Sequence, residues 1–120
     1  MDQRLHYMKM SGREVLKHAV RFMSDAVLRA LAGAGLTLKD VDVIVTHQAN
    51  LRIIHAISDK LSVPLENFFI NLDRYGNMSA ASIPVALDEA VRTGRVRFGQ
   101  TVVLVAFGGG FTWSATVLKW

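Results

Sequence analysis

Val43-Ile44-Val45-Thr46, the end of a strand expected from Val41, is a short apolar run that stops at His47, and from Asn50 the apolar residues begin to recur at helical spacing. A hydrophobic period that switches from continuous to 3.6 residues within so few positions admits few structures. The economical one is a strand buried on both faces, followed at once by a helix that packs back against it. In open α/β sheets, ligands bind in the crevice beyond the carboxyl end of such a strand. His47 stands at that end.

The flanking segments extend the pattern. Val15, Leu16, Ala19, Val20, Met23, Ala26, Val27, Ala30 and Leu31 recur at three- and four-residue spacing, which predicts a helix with one buried stripe. Ser11 and Glu14 fit a capping box at its start, and Gly33 or Gly35 fits its end. The residues before it, Met1 to Met10, read as short and irregular. Arg13, Lys17 and Arg21 form a cationic stripe on its polar side.

Thr37 to Asp40 reads as a turn or a single helical turn. After the strand, Asn50 caps a helix running to about Leu61, with Leu51, Ile54, Ile57 and Leu61 inward. Pro64 breaks the pattern, Asn67 to Asn71 is expected as a short strand, and Asp73 to Gly76 as a turn. A third helix is expected from Ser79 to about Arg92, with Pro84 tolerated in its first turns. Gln100 to Phe107 and Phe111 to Trp120 read as strands joined by Gly108-Gly109-Gly110. The predicted class is α/β, a mostly parallel sheet with an antiparallel C-terminal edge, flanked by helices.

Composition narrows the function classes. The 120 residues are 51% hydrophobic and 20% charged, a globular balance for one domain at most. No apolar run approaches the ~20 residues of a membrane span, and the start has no apolar signal core, so a soluble cytoplasmic protein without a membrane partner is expected. The absence of cysteine removes disulfides, thiolate metal sites and a cysteine nucleophile from this chain. A net charge of +4 suits an acidic partner. Nucleic acid is not expected, because neither an RNA-binding aromatic signature nor a helix-turn-helix pattern accompanies that charge.

Three stretches carry chemistry: the His47 strand end, Tyr75-Gly76-Asn77-Met78-Ser79-Ala80-Ala81-Ser82, and Phe107-Gly108-Gly109-Gly110-Phe111-Thr112-Trp113. Together they offer an imidazole, a carboxamide and a glycine-rich backbone as three walls of one pocket. A neutral imidazole donor beside a primary amide stabilises negative charge growing on a carbonyl oxygen, which suits enolate or thioester chemistry. Glycine lets a backbone N–H approach a second oxyanion closely, although the same residues also make an ordinary hairpin. His6, His18 and His55 read as ordinary helix or surface residues, and no metal-ligand spacing, Walker loop or dinucleotide fingerprint is present.

In that order and spacing, His47-Gln48-Ala49-Asn50-Leu51-Arg52, Gly76-Asn77 with Ser79 to Ser82, and Phe107 to Trp113 resemble the carboxyl-terminal half of the β-ketoacyl-acyl-carrier-protein synthase III family. The resemblance covers nearly the whole chain, including Met10, Gly12 and Glu14 to Lys17. It implies a thiolase-like fold and a reaction in which an acyl-CoA primer condenses with malonyl-acyl-carrier-protein, losing CO2. By that resemblance His47 and Asn77 stabilise the enolate, and Gly109 donates to the oxyanion of the acyl-enzyme. Leu16, Asn50 and Ile53 match positions lining the substrate and pantetheine tunnel, and Arg52, with Lys17 and Lys60, matches the carrier-protein contact. The implied ligands are a CoA thioester and pantetheine-linked malonyl as substrates, with no separate cofactor, and the implied full enzyme is a homodimer.

The family's nucleophile is a cysteine in its amino-terminal half, which this sequence does not contain. Residues 1–120 are therefore expected to be a C-terminal half-domain without its first strand or the amino-terminal half, inactive alone. That first strand is expected between the strands beginning at Val41 and Gln100, leaving unpaired edges on both. Two alternatives keep the motifs: a related acyltransferase of secondary metabolism, and a non-catalytic module that binds carrier protein.

Overall fold

The computed structural model describes residues 12–120. The irregular start from Met1 to Met10, His6 within it, and the Ser11 cap lie outside the described residues. Helix α1 spans Gly12–Gly33 and buries Ala19, Met23, Val27 and Leu31, each one turn from the next. Strand β1 (Val43–Thr46) is buried along its whole length. Asn50 caps helix α2 (Leu51–Leu61), its Oδ1 accepting the Ile53 N–H at 3.1 Å. A single helical turn, α3 (Leu72–Tyr75), precedes helix α4 (Ser82–Arg92), and strands β2 (Thr101–Gly108) and β3 (Thr112–Lys119) close the chain.

The sheet is mixed, in the order β1-β2-β3. β1 runs parallel to β2 from Val43↔Val102 to Thr46↔Val105, and β2 runs antiparallel to β3 from Thr101↔Lys119 to Gly108↔Thr112. Alternation along the strands sorts the core into two layers. Ile44, Val103 and Val105 pack with Met23, Ile54 and Ile57 on the α1–α2 side. Val43, Val45 and Val102 pack with Ala86, Ala90 and Val96 on the α4 side.

Five expectations need correction. No strand separates β1 from β2: they pair directly, so the expected gap between them does not exist. The segment from Asn67 to Asn71 is not a strand but a 3-10 turn (Leu65–Asn67) and one parallel bridge, Ile44↔Phe68, since its later polar groups bond to side chains instead of a ladder. Leu51 is 45% exposed while Ile53, Ile54, Ile57 and Leu61 are buried, because Leu51 is the first residue of α2, at the open end of its inward face. The helix expected from Ser79 opens with a 3-10 turn (Ser79–Ala81), and its α-helical part begins at Ser82, which leaves Pro84 in the first turn, where its missing N–H has no helical partner to lose. Val41 likewise closes the 3-10 turn Leu38–Asp40 and does not open β1.

Candidate functional site

His47 follows the last residue of β1, and its backbone N–H donates to the Val105 carbonyl at 2.8 Å, which carries the ladder one step past the strand. Its side chain is half-buried at the sheet edge. Burial pushes the imidazole below its ordinary value, opposed by a hydrogen bond with the Ser79 backbone that favours the charged form. The neutral ring is therefore the favoured species near neutral pH.

Asn77 reaches the same place from the other direction. The turn of α3 ends at Gly76, whose φ of 67° with ψ of −160° is a conformation that side chains resist. Asn77 Oδ1 then accepts the Ser79 N–H at 2.9 Å, an Asx turn that fixes the carboxamide by its oxygen. Its Nδ2 makes no side-chain hydrogen bond among the described residues and remains a donor for a ligand.

The third wall is the β2–β3 connection. Thr112 Oγ1 donates to the Gly109 carbonyl at 3.3 Å, and Gly110 adopts φ of 129°. A cavity of about 520 Å³ is lined by His47, Asn77, Ser79, Phe107, Gly109 and Trp113, among others. A second, of about 490 Å³, is lined by His47, Asn77, Gly109, Met23, Ile53 and Phe111, among others. His47, Asn77, Phe107, Gly108 and Gly109 belong to both. A half-buried imidazole, an amide donor and a glycine backbone thus surround one space, a combination able to stabilise an oxyanion.

The other sequence-derived candidates distribute unevenly. Ile53 lines the second cavity, whereas Leu16 packs against the α1–α2 core and Asn50 is an exposed cap, and neither lines either cavity. Arg52, at the first turn of α2, Lys60, at its last, and Lys17 on α1 are all exposed. Lys60 borders a separate groove with Arg21 and Arg29, while Arg52 and Lys17 do not. None of the three takes part in an ion pair among the described residues. No group of three or more metal-ligating side chains converges among them either.

Two features escape a reading of the sequence. Gln48 is 1% exposed and uses both ends of its amide: Nε2 donates to the Phe69 carbonyl at 2.9 Å, and Oε1 accepts the Asn71 N–H at 3.0 Å. Its only signal was a polar residue at the end of a buried strand. Phe22 stacks on Trp113 with ring centroids 4.1 Å apart, and His18 stacks on Phe22 and leans on Phe111. This aromatic row joins α1 to the glycine connection, which no local pattern announces.

Comparison with known proteins identifies the family and the fold. Residues 31–120 match the family model described as 3-oxoacyl-[acyl-carrier-protein] synthase III C terminal. The chain is 53% identical over 120 residues to a β-ketoacyl-[acyl-carrier-protein] synthase III of Clostridioides difficile, covering 100% of this chain and 37% of that protein. Among solved structures it is similar to synthase III of Thermus thermophilus, with 56% identity, a TM-score of 0.90, and coverage of 93% of this chain and 35% of the other. The synthase III of Aquifex aeolicus superposes with a TM-score of 0.94 at 44% identity, over 98% of this chain and 38% of the other. The chain thus spans little more than a third of the length of these relatives.

Proposed function

The chain belongs to the 3-oxoacyl-[acyl-carrier-protein] synthase III family of thiolase-like condensing acyltransferases, and from that premise we propose that its cavity performs the decarboxylative half of an initiating condensation in fatty-acid synthesis. The observation that carries the reading is the convergence of His47, Asn77 and Gly109 on one space. A malonyl thioester seated there places its thioester carbonyl oxygen between the imidazole and the Asn77 amide. The bond between the α-carbon and the carboxylate breaks, CO2 leaves, and the electron pair is delocalised onto that oxygen as an enolate. The α-carbon then attacks an acyl thioester, forming the new carbon–carbon bond and expelling the thiolate that held the acyl group. In this reading the Gly109 N–H donates to the second oxyanion, formed during that attack.

These residues stabilise charge and do not supply the acyl acceptor. With no cysteine in the chain, the acylated thiol comes from polypeptide outside these 120 residues. Carrier protein, which is acidic, is docked through exposed Arg52, with Lys17 and Lys60 guiding its approach over the surface. The same contacts present malonyl on its pantetheine arm, so the substrates are thioesters and no separate cofactor is required. Ile53, on the wall of the second cavity, supplies an apolar contact for that arm.

The test is a chimera in which residues 1–120 replace the matching 37% of the Clostridioides relative. It is expected to decarboxylate malonyl thioester, and His47→Ala is expected to lower that rate by a factor of about 10² to 10³. A folded chimera whose decarboxylation is indifferent to His47→Ala and Asn77→Ala sinks the reading.

A further inference from the structure

Asn77 sits on a segment that has no anchor of its own: none of the side chains from Leu72 to Met78 is buried. Such a segment is located by its hydrogen bonds, and these lead back to His47. Gln48, the next residue after His47, is buried and holds the chain at two points, the Phe69 carbonyl at 2.9 Å and the Asn71 N–H at 3.0 Å. The Phe69 N–H in turn donates to the Ile44 carbonyl of β1 at 2.9 Å.

Asn71, 1% exposed, passes the constraint on. Its carbonyl accepts the N–H groups of Arg74 and Tyr75, each at 3.1 Å, which starts the turn of α3. Its Nδ2 donates to Glu89 Oε2 on α4 at 3.1 Å, and Glu89 also pairs with Arg74. Gly76 closes the turn, its N–H donating to the Leu72 carbonyl at 2.8 Å, and Asn77 follows.

We propose that Gln48, Asn71 and Glu89 are positioning residues that set the Asn77 carboxamide against His47, an inference that rests on the decarboxylation reading above. The chain of bonds ties the two donors of the cavity to one strand end, so a shift at Gln48 displaces Asn77 while leaving the His47 backbone in its ladder. Small displacements of this kind are costly to a reaction that depends on the geometry of two donors.

The chimera described above tests this. Gln48→Met keeps the length of the side chain and removes both of its bonds. It is expected to lower kcat for malonyl-thioester decarboxylation by a factor of about 10 to 100, with KM moving less than about threefold. In an Asn77→Ala background the same substitution is expected to cost less than about twofold more, since both changes act through one amide. Losses that simply multiply overturn the proposal, because a general loosening of the fold would act independently of Asn77.

If Gln48→Met does not fold, Glu89→Ala and Glu89→Gln ask the same question from the α4 end. The alanine variant is expected to lose several-fold in kcat and the glutamine variant to recover it, since an amide oxygen still accepts from Asn71; equal losses overturn the proposal. Asn77→Ala with full activity would instead remove the decarboxylation reading, and this inference with it.

Discussion

The strand end at His47 and the glycine connection from Gly108 to Gly110 border the same two cavities, yet they are held by different means. At the strand end, Val45, Thr46 and Gln48 are all at most 1% exposed, and the His47 backbone continues the ladder to Val105. At the connection, Phe111 and Trp113 are 40% and 43% exposed, and Thr112 Oγ1 supplies the only side-chain hydrogen bond to Gly109 or Gly110 among the described residues. Its position is set by aromatic stacking on α1 and by the hairpin register. One wall therefore carries a side chain whose place is fixed by the core, and the other a backbone whose place is fixed by aromatic stacking and by the hairpin register.

The sharpest way to break that comparison is by core truncation. Ile44→Ala empties a fully buried position between β1 and α2 and is expected to cost about 2–5 kcal/mol in urea unfolding. Trp113→Ala, at an exposed position, is expected to cost clearly less, and equal losses would erase the distinction between the walls.

Asn77→Ala is expected to remove about 3–4 kcal/mol of transition-state stabilisation in the decarboxylation assay while leaving the unfolding midpoint near that of the parent, since Asn77 is exposed. A large stability loss would mean that this wall, too, is built for packing.

At the connection, Gly110→Ala places a Cβ at φ of 129° and 3.3 Å from Thr112 Cγ2, and is expected to destabilise by about 1–3 kcal/mol. Gly109→Ala meets nothing within 4 Å and retains the backbone N–H, so its stability is expected to stay within about 0.5 kcal/mol and its activity to survive. Loss of activity in Gly109→Ala would show that ligand, rather than protein, occupies the space its Cβ enters.

The smallest expected effect is that of pH. Because the folded protein lowers the His47 pKa, the unfolded chain binds more protons between the two values, and stability rises with pH there. The contribution is present above about pH 6.5 and is lost as pH falls through the lower, folded value. In pH-dependent unfolding, His47→Gln is expected to flatten that slope, and an unchanged slope would assign it to another group. Decarboxylation is expected to decline over the same acidic range as the neutral imidazole is titrated.

Periodicity and punctuation were enough to locate β1, the helices and the hairpin, since a buried strand, an amphipathic helix and a glycine turn each leave a local signature. Asn50 was legible as a cap for the same reason. The missed strand at Asn67 to Asn71 shows the limit: its composition permits pairing, but Gln48 claims the Phe69 carbonyl and the Asn71 N–H first. Spacing places Leu51 inward with Ile54, Ile57 and Leu61, but it is 45% exposed, because it is the first residue of α2 and the chain offers no turn before it to cover its side chain.

By itself the sequence determined the class of fold, the family, and which three stretches carry an imidazole, an amide and a glycine backbone, because each depends on residues close together in the chain. Only the tertiary structure decided that β1 and β2 are direct neighbours and that Leu16 and Asn50 stand away from both cavities while Ile53 borders one. It also decided that a buried glutamine links His47 to the segment bearing Asn77. Strand order and side-chain hydrogen bonds between residues more than twenty positions apart depend on how the layers pack, and no local pattern of residues encodes that packing.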